Sequence, residues 1–152
     1  MNKKKLQIAQ LDNKLKGFGA AVQIPHPDIG WLKTVRISLG MSLQQVADKL
    51  AITKQSVQEI ETREKEGSIT LNNLKETANA LDMQLVYGLV PKDGTIEDLI
   101  ERKAKELALR IVSRTSNTMK LEDQENSKQR LQKAIEERTA IIKNEMPKSL
   151  WD

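Results

Sequence analysis

Apolar positions recur at helical spacing along nearly the whole chain, and each series is bounded by residues that start or stop a helix. Ile8, Leu11 and Leu15 predict a helix over residues 4–16, broken by Gly17-Phe18-Gly19. Pro25-His26-Pro27 bars a helix until Asp28, a suitable N-cap. Ile29, Leu32, Val35 and Leu39 then predict one over 29–39, with Trp31 partly inward and Gly40 as the stop. Leu43, Val46, Ala47 and Leu50 follow behind Ser42, and Val57 and Ile60 follow behind Thr53. This is the pattern of two short helices joined at Ala51-Ile52. Residues 62–69, TREKEGSI, read as a polar loop. Thr70 caps a predicted helix at 71–81 carrying Leu71, Leu74, Ala78 and Leu81 inward.

Residues 83–91, MQLVYGLVP, change the pattern and read as a single strand ending at Pro91. With no second strand evident, its backbone groups need a partner, and its counterpart in a second subunit would supply one. Thr95 with Asp98 resembles a capping box opening a helix to about residue 114, lined by Ile96, Leu99, Ile100, Leu107, Ala108, Ile111 and Val112. A polar break at 113–118 precedes a last helix through Leu131, Ala134, Ile135 and Ile142. The expected fold class is all-α with one short, intersubunit strand. The segments are an N-terminal helix or arm at 1–24, a central domain at 25–92, and C-terminal helices for dimerisation or partner binding at 93–152.

Composition agrees with helices. Charged residues make up 30% of the 152, and only four are Phe, Trp or Tyr. No Cys is present, which excludes disulfides, thiolate metal sites and a Cys nucleophile. The start MNKKKLQIAQLDNK has no signal-peptide apolar stretch and no run reaches membrane-span length, so a cytoplasmic location is expected. The net charge is +4. Residues 1–91 hold 12 Lys/Arg against 9 Asp/Glu, so the excess leans toward the central helices, although Lys3-Lys4-Lys5 account for it. Those three lysines form either an arm on nucleic acid or a solvated tail.

The second helix of the central pair points Lys54, Gln55, Ser56, Gln58 and Glu59 away from its apolar stripe. Amides pair with adenine, lysine reaches guanine or phosphate, and hydroxyls serve either, so this face suits base edges in a major groove. Arg36, Gly40, Ser42, Val46, Ala47, Leu50, Ile52, Thr53, Val57, Ile60 and Glu61 stand in the register of the lambda-repressor-like, XRE-type helix-turn-helix, which this stretch resembles. The resemblance implies a scaffold ion pair between Arg36 and Glu61 and base reading by Lys54, Gln55, Ser56, Gln58 and Glu59. It also implies phosphate contacts from Ser42, Gln44, Thr53, Arg63, Lys65, Asn72 and Asn73. Two positions depart from the family. Leu43 stands where Gln is common, with Gln44 and Gln45 beside it, and Ala51 stands where the turn often has Gly.

Nearly the whole chain resembles the mobile mystery protein A family, on Pro25, Pro27, Gly30 and Trp31, the LVYGLVPK run, ELALRIVSR and the final MPKSLWD. That family is encoded beside mobile mystery protein B, which carries a Fic domain. The resemblance implies an antitoxin-like repressor with a Fic-domain protein as partner. We read the chain as a homodimer that occupies a palindromic operator in double-stranded DNA and represses its own operon. The alternative is an interaction module that neutralises a partner enzyme and binds DNA weakly. Thr62 to Gly67 also fits the loose S/TxxxE(G/N) motif of Fic inhibition. Chance supplies such a match in roughly one chain in seven, and we treat it as coincidence. His26 is the only histidine and reads as a loop residue, while Trp31 and Trp151 read as packing residues or, for Trp151, a partner anchor. No phosphate-binding glycine loop, catalytic triad spacing or metal-ligand set occurs, so no enzyme activity, cofactor or metal is expected.

Overall fold

The computed structural model describes residues 3–116 and 124–152. Its helices are α1 (Lys3–Leu15), α2 (Trp31–Ser38), α3 (Leu43–Leu50), α4 (Lys54–Glu66), α5 (Leu71–Ala80), α6 (Ile96–Ser116) and α7 (Gln124–Glu145). Short 3-10 turns cover Lys16–Gln23 and Lys148–Trp151. The chain is all-helical, and it divides into two compact units, residues 20–88 and residues 1–19 with 89–152.

In the first unit, α3 packs on α4 and α5, and α2 packs on α4. Leu32, Val46, Ala47, Val57 and Leu81 form the buried centre, with Val35, Leu43, Leu50, Ile60 and Leu74 against it. These are apolar positions of the sequence pattern, although Ile29, Leu39 and Leu71, expected inward, are exposed; Ala47 has no exposed surface at all. A larger side chain there would separate the helices it lies between.

The ends of α3 explain its shortness. Ser42 Oγ accepts from the Gln45 backbone N–H at 3.1 Å, and Gln45 Oε1 accepts from the Ser42 N–H at 2.8 Å, a complete capping box. At the other end Ala51 adopts the left-handed conformation, φ 54° and ψ 45°. An L-residue pays about 1–2 kcal/mol for this, and Gly pays less but loses more chain entropy on folding. Ala51 is exposed, so no packing is at stake. We expect Ala51→Gly to stabilise the unit by about 0.5–1 kcal/mol, read as a higher urea midpoint with unchanged slope. A lower midpoint would show that the turn is not strained.

Two boundaries differ from the sequence reading. Residues 62–66 continue α4 instead of forming a loop, because Glu61 and Glu64 both lie on its buried side with polar partners there. Helix α2 starts at Trp31, not residue 29, and Asp28 does not cap it. Gly30 holds the N-cap position at φ 89° without a side chain to offer, and Glu64 Oε1 accepts from the Leu32 N–H at 2.7 Å in its place.

In the second unit α1 packs along α6, and α6 packs along α7. Ile100, Ala104, Ala108, Ile142 and Leu150 are buried, with Ile8, Leu107, Ile111 and Ile135 against them. Asp12 of α1 accepts from the Ile96 N–H at 2.7 Å and the Glu97 N–H at 3.3 Å, while Thr95 Oγ1 accepts from the Asp98 N–H at 3.0 Å. The first turn of α6 thus takes acceptors from both its own cap and α1. Arg102 bonds Asp93 at 2.7 Å and draws its carboxyl below the usual carboxylate range. Lys3, Lys4 and Lys5 open α1, which packs along α6. The polar break expected at 113–118 is still helical through Ser116, and its remainder lies outside the described residues.

The strand expected at 83–91 is absent: no residue from 83 to 91 is in a ladder, and no strand occurs among the described residues. A strand exists only through pairing, and within one chain this segment has none.

Candidate nucleic-acid interface

Helix α4 is the element around which the candidate site is built. Its first turn begins at Thr53, whose Oγ1 accepts from the Ser56 N–H at 3.0 Å and lies 2.8 Å from Ser56 Oγ. Lys54, Gln55, Gln58 and Glu59 are exposed, and Ser56 is half-buried. Val57, Glu61 and Glu64 turn the opposite face into the unit. The helix therefore presents an ammonium and an amide from its first turn, where free backbone N–H groups and the helix dipole also favour an anion.

Its orientation is set by a buried ion pair. Arg36 Nε donates to Glu61 at 3.1 and 3.0 Å, Nη2 donates to Oε1 at 2.9 Å, and Nη1 donates to the Met41 carbonyl at 3.1 Å. Only 12% of the Arg36 side chain and 7% of Glu61 remain exposed. This pair ties α2 to α4, and through Met41 to the connection that leads into α3.

The other predicted contact residues are less uniform. Ser42 is exposed, but its hydroxyl and the amide of Gln45 are joined in the capping box, so Gln45 does not stand free as a substitute for the missing family Gln. Gln44 is exposed and donates to Asp48 at 2.8 Å. Arg63 lies 3.8 Å from Glu59 one turn away on α4, and Lys65 is exposed. Asn72 is exposed in the first turn of α5, whereas Asn73 is half-buried and gives its N–H to Thr70 Oγ1. Thr62 and Glu66 are exposed on α4.

Residues 32–87 match the helix-turn-helix family. The matched stretch spans α2 to α5 and continues into the segment after α5. The match supports DNA binding by this domain, and in a helix-turn-helix the second helix, the counterpart of α4, is the one that enters a major groove. No curated protein and no solved structure matches the chain. Among the described residues no helix is long and apolar enough to cross a membrane.

Sequence reasoning missed Glu64 and His26. Glu64 is 7% exposed; besides capping α2, its Oε2 lies 3.2 Å from His26 Nε2. The contact falls outside hydrogen-bond geometry, so Oε2 is near an ion-pair partner but has no hydrogen bond. His26 Nδ1 is 2.9 Å from the Pro27 carbonyl, and its ring meets Trp31 edge-on at 5.9 Å. A signal was present: Val57, Glu61 and Glu64 share one helix face, and Gly30 leaves α2 without its own cap.

Charge also falls differently from the sequence reading. Residues 20–88 hold seven Lys/Arg against eight Asp/Glu, while residues 1–19 with 89–152 hold eighteen against thirteen. The helix-turn-helix unit has no basic excess, because the lysines of α1 belong to the other unit. A unit without a basic excess would have to attract DNA through local contacts, not through a broad field.

Proposed function

We propose that the chain is a sequence-specific transcriptional regulator that binds a palindromic operator as a homodimer, one α4 per major-groove half-site. The carrying observation is the first turn of α4, capped by Thr53, with Lys54, Gln55 and Gln58 exposed while the opposite face is locked by Arg36 and Glu61. Lys54, Gln55 and Ser56 read bases first, with Gln58 and Glu59 further along the helix. Ser42, Gln44, Thr53, Arg63, Lys65, Asn72 and Asn73 set the register on phosphates.

Dimerisation draws support from the segment after α5. Val86, Tyr87 and Leu89 are 68%, 69% and 82% exposed on backbone without ladder partners. Pairing two such segments across a dyad would satisfy both. The antitoxin-like role and a Fic-domain partner extend the reading on the mobile mystery protein A resemblance, with repression of its own operon as the output.

Selection of duplexes from a random pool, followed by anisotropy titrations, tests this reading. We expect a palindromic site with half-sites about one helical turn apart. Gln55→Ala should cost about 1–3 kcal/mol on that site and relax preference at one base pair per half-site. Enrichment of no sequence, or a preference untouched by Gln55→Ala and Lys54→Ala together, would remove α4 from recognition.

A further inference from the structure

The chain has seven arginines, and they divide sharply. Arg36, Arg63 and Arg102 each face a carboxylate, Glu61, Glu59 and Asp93 respectively. Arg110 and Arg114 of α6 and Arg130 and Arg138 of α7 are exposed, and no carboxylate among the described residues lies within ion-pair distance of them.

These four share one side of the α6–α7 hairpin. Lys143 reaches Glu101 at 3.9 Å and marks where the two antiparallel helices join on one side. At 100° per residue, Arg110 and Arg114 lie about 140–180° around α6 from Glu101. Arg130 and Arg138 lie about 140° around α7 from Lys143. All four therefore project from the side away from that ion pair. Equal steps along both helices from the pair bring Arg114 level with Arg130, and Arg138 level with Glu106. From Arg130 to Arg138 the row extends about 12 Å along the axis. Glu137 of α7 and Glu106 of α6 share this side, and Glu106 is already bonded to Arg102 at 3.0 Å.

Guanidiniums in a row with no carboxylate partner among the described residues suit the phosphates of a nucleic-acid backbone, which they bind bidentately, where solvating lysines would be the ordinary surface choice. This unit also holds the chain's basic excess, while the helix-turn-helix unit has none. We infer that the α6–α7 hairpin is a second, sequence-independent DNA-binding surface that grips duplex phosphates through Arg110, Arg114, Arg130 and Arg138. The inference rests on the reading of the chain as a DNA-binding regulator and assigns most of its salt-dependent affinity to the unit outside the helix-turn-helix.

The test uses the full chain and a labelled duplex of random sequence, titrated over a series of NaCl concentrations. In the quadruple variant Arg110→Gln, Arg114→Gln, Arg130→Gln, Arg138→Gln, affinity at low salt should fall at least about tenfold. The slope of log K against log salt should shrink by about 2–4, with the thermal melt unchanged. Sequence discrimination on a selected operator should survive, whereas Lys54→Ala with Gln55→Ala should abolish discrimination and leave the random-duplex slope in place. A quadruple variant with unaltered slope and affinity overturns the inference and leaves the α4 reading standing. If the variant loses its fold, charge reversal of Arg114 and Arg130 alone is the deciding measurement, with the same expected direction. Competition by poly-glutamate as effective, charge for charge, as competition by duplex would also overturn it, since the surface would then fit an acidic protein. A parent chain that binds no duplex overturns both readings.

Discussion

Glu61→Ala is expected to cost the helix-turn-helix unit about 3–5 kcal/mol, a large share of a typical domain's stability. The reason is asymmetry. With the carboxylate present, Arg36 places three hydrogen bonds on it and a fourth on the Met41 carbonyl, and 12% of its side chain remains exposed. With the carboxylate gone, a guanidinium is left desolvated without its counter-charge. Replacing both partners by apolar residues, Arg36→Met with Glu61→Leu, removes the two desolvation costs together and should recover most of the loss. Urea melts followed by circular dichroism measure all three proteins. A Glu61→Ala cost below about 1 kcal/mol, the range of a surface ion pair, would mean that the pair does not lock α2 to α4.

Glu64→Ala should cost about 2–4 kcal/mol, through a different route. The Leu32 N–H loses the acceptor that replaces a cap on α2, and an orphaned buried donor alone costs about 1–3 kcal/mol. The vacated volume beside Gly30 adds a cavity. Glu64→Gln keeps an acceptor and the shape, so its loss should be less than half as large. Trp31 begins α2 and lies against His26, so its fluorescence, read in a Trp151→Phe background, should shift in the alanine variant and not in the glutamine one. Equal losses in both variants would assign the effect to charge rather than to capping.

Gly30 belongs to the same arrangement. A Cβ there would meet Glu64 Oε2 at 3.1 Å and Oε1 at 3.3 Å, and the backbone is already at φ 89°. The residue that leaves α2 uncapped is also the one small enough to let the substitute cap approach.

Helix existence was legible from periodicity, since Leu43, Val46, Ala47, Leu50, Val57 and Ile60 are either buried or packed on the buried centre. The caps at Ser42, Thr53 and Thr70 were legible too, because a hydroxyl bonding an N–H three residues on is a local event. The continuation of α4 past residue 61 was not. Arg-Glu-Lys-Glu reads as solvent-exposed loop unless one knows that Glu64 reaches a helix start 32 residues earlier. The strand expected at 83–91 does not form within one chain, for the opposite reason. Val86 and Tyr87 have strand-like preferences, but preference without a partner makes no ladder.

Most helix positions, the caps at Ser42, Thr53 and Thr70, and the outward face of Lys54 and Gln55 are set locally and show in the sequence. Those outcomes depend on neighbours within about four residues, which the pattern displays directly. Which distant groups meet depends on how the helices pack. Packing places Glu64 under α2, Asp12 at the start of α6, and the lysines of α1 in the unit that does not carry the helix-turn-helix. Charge and capping act through space, so their partners are set by how helices pack and not by their order along the chain.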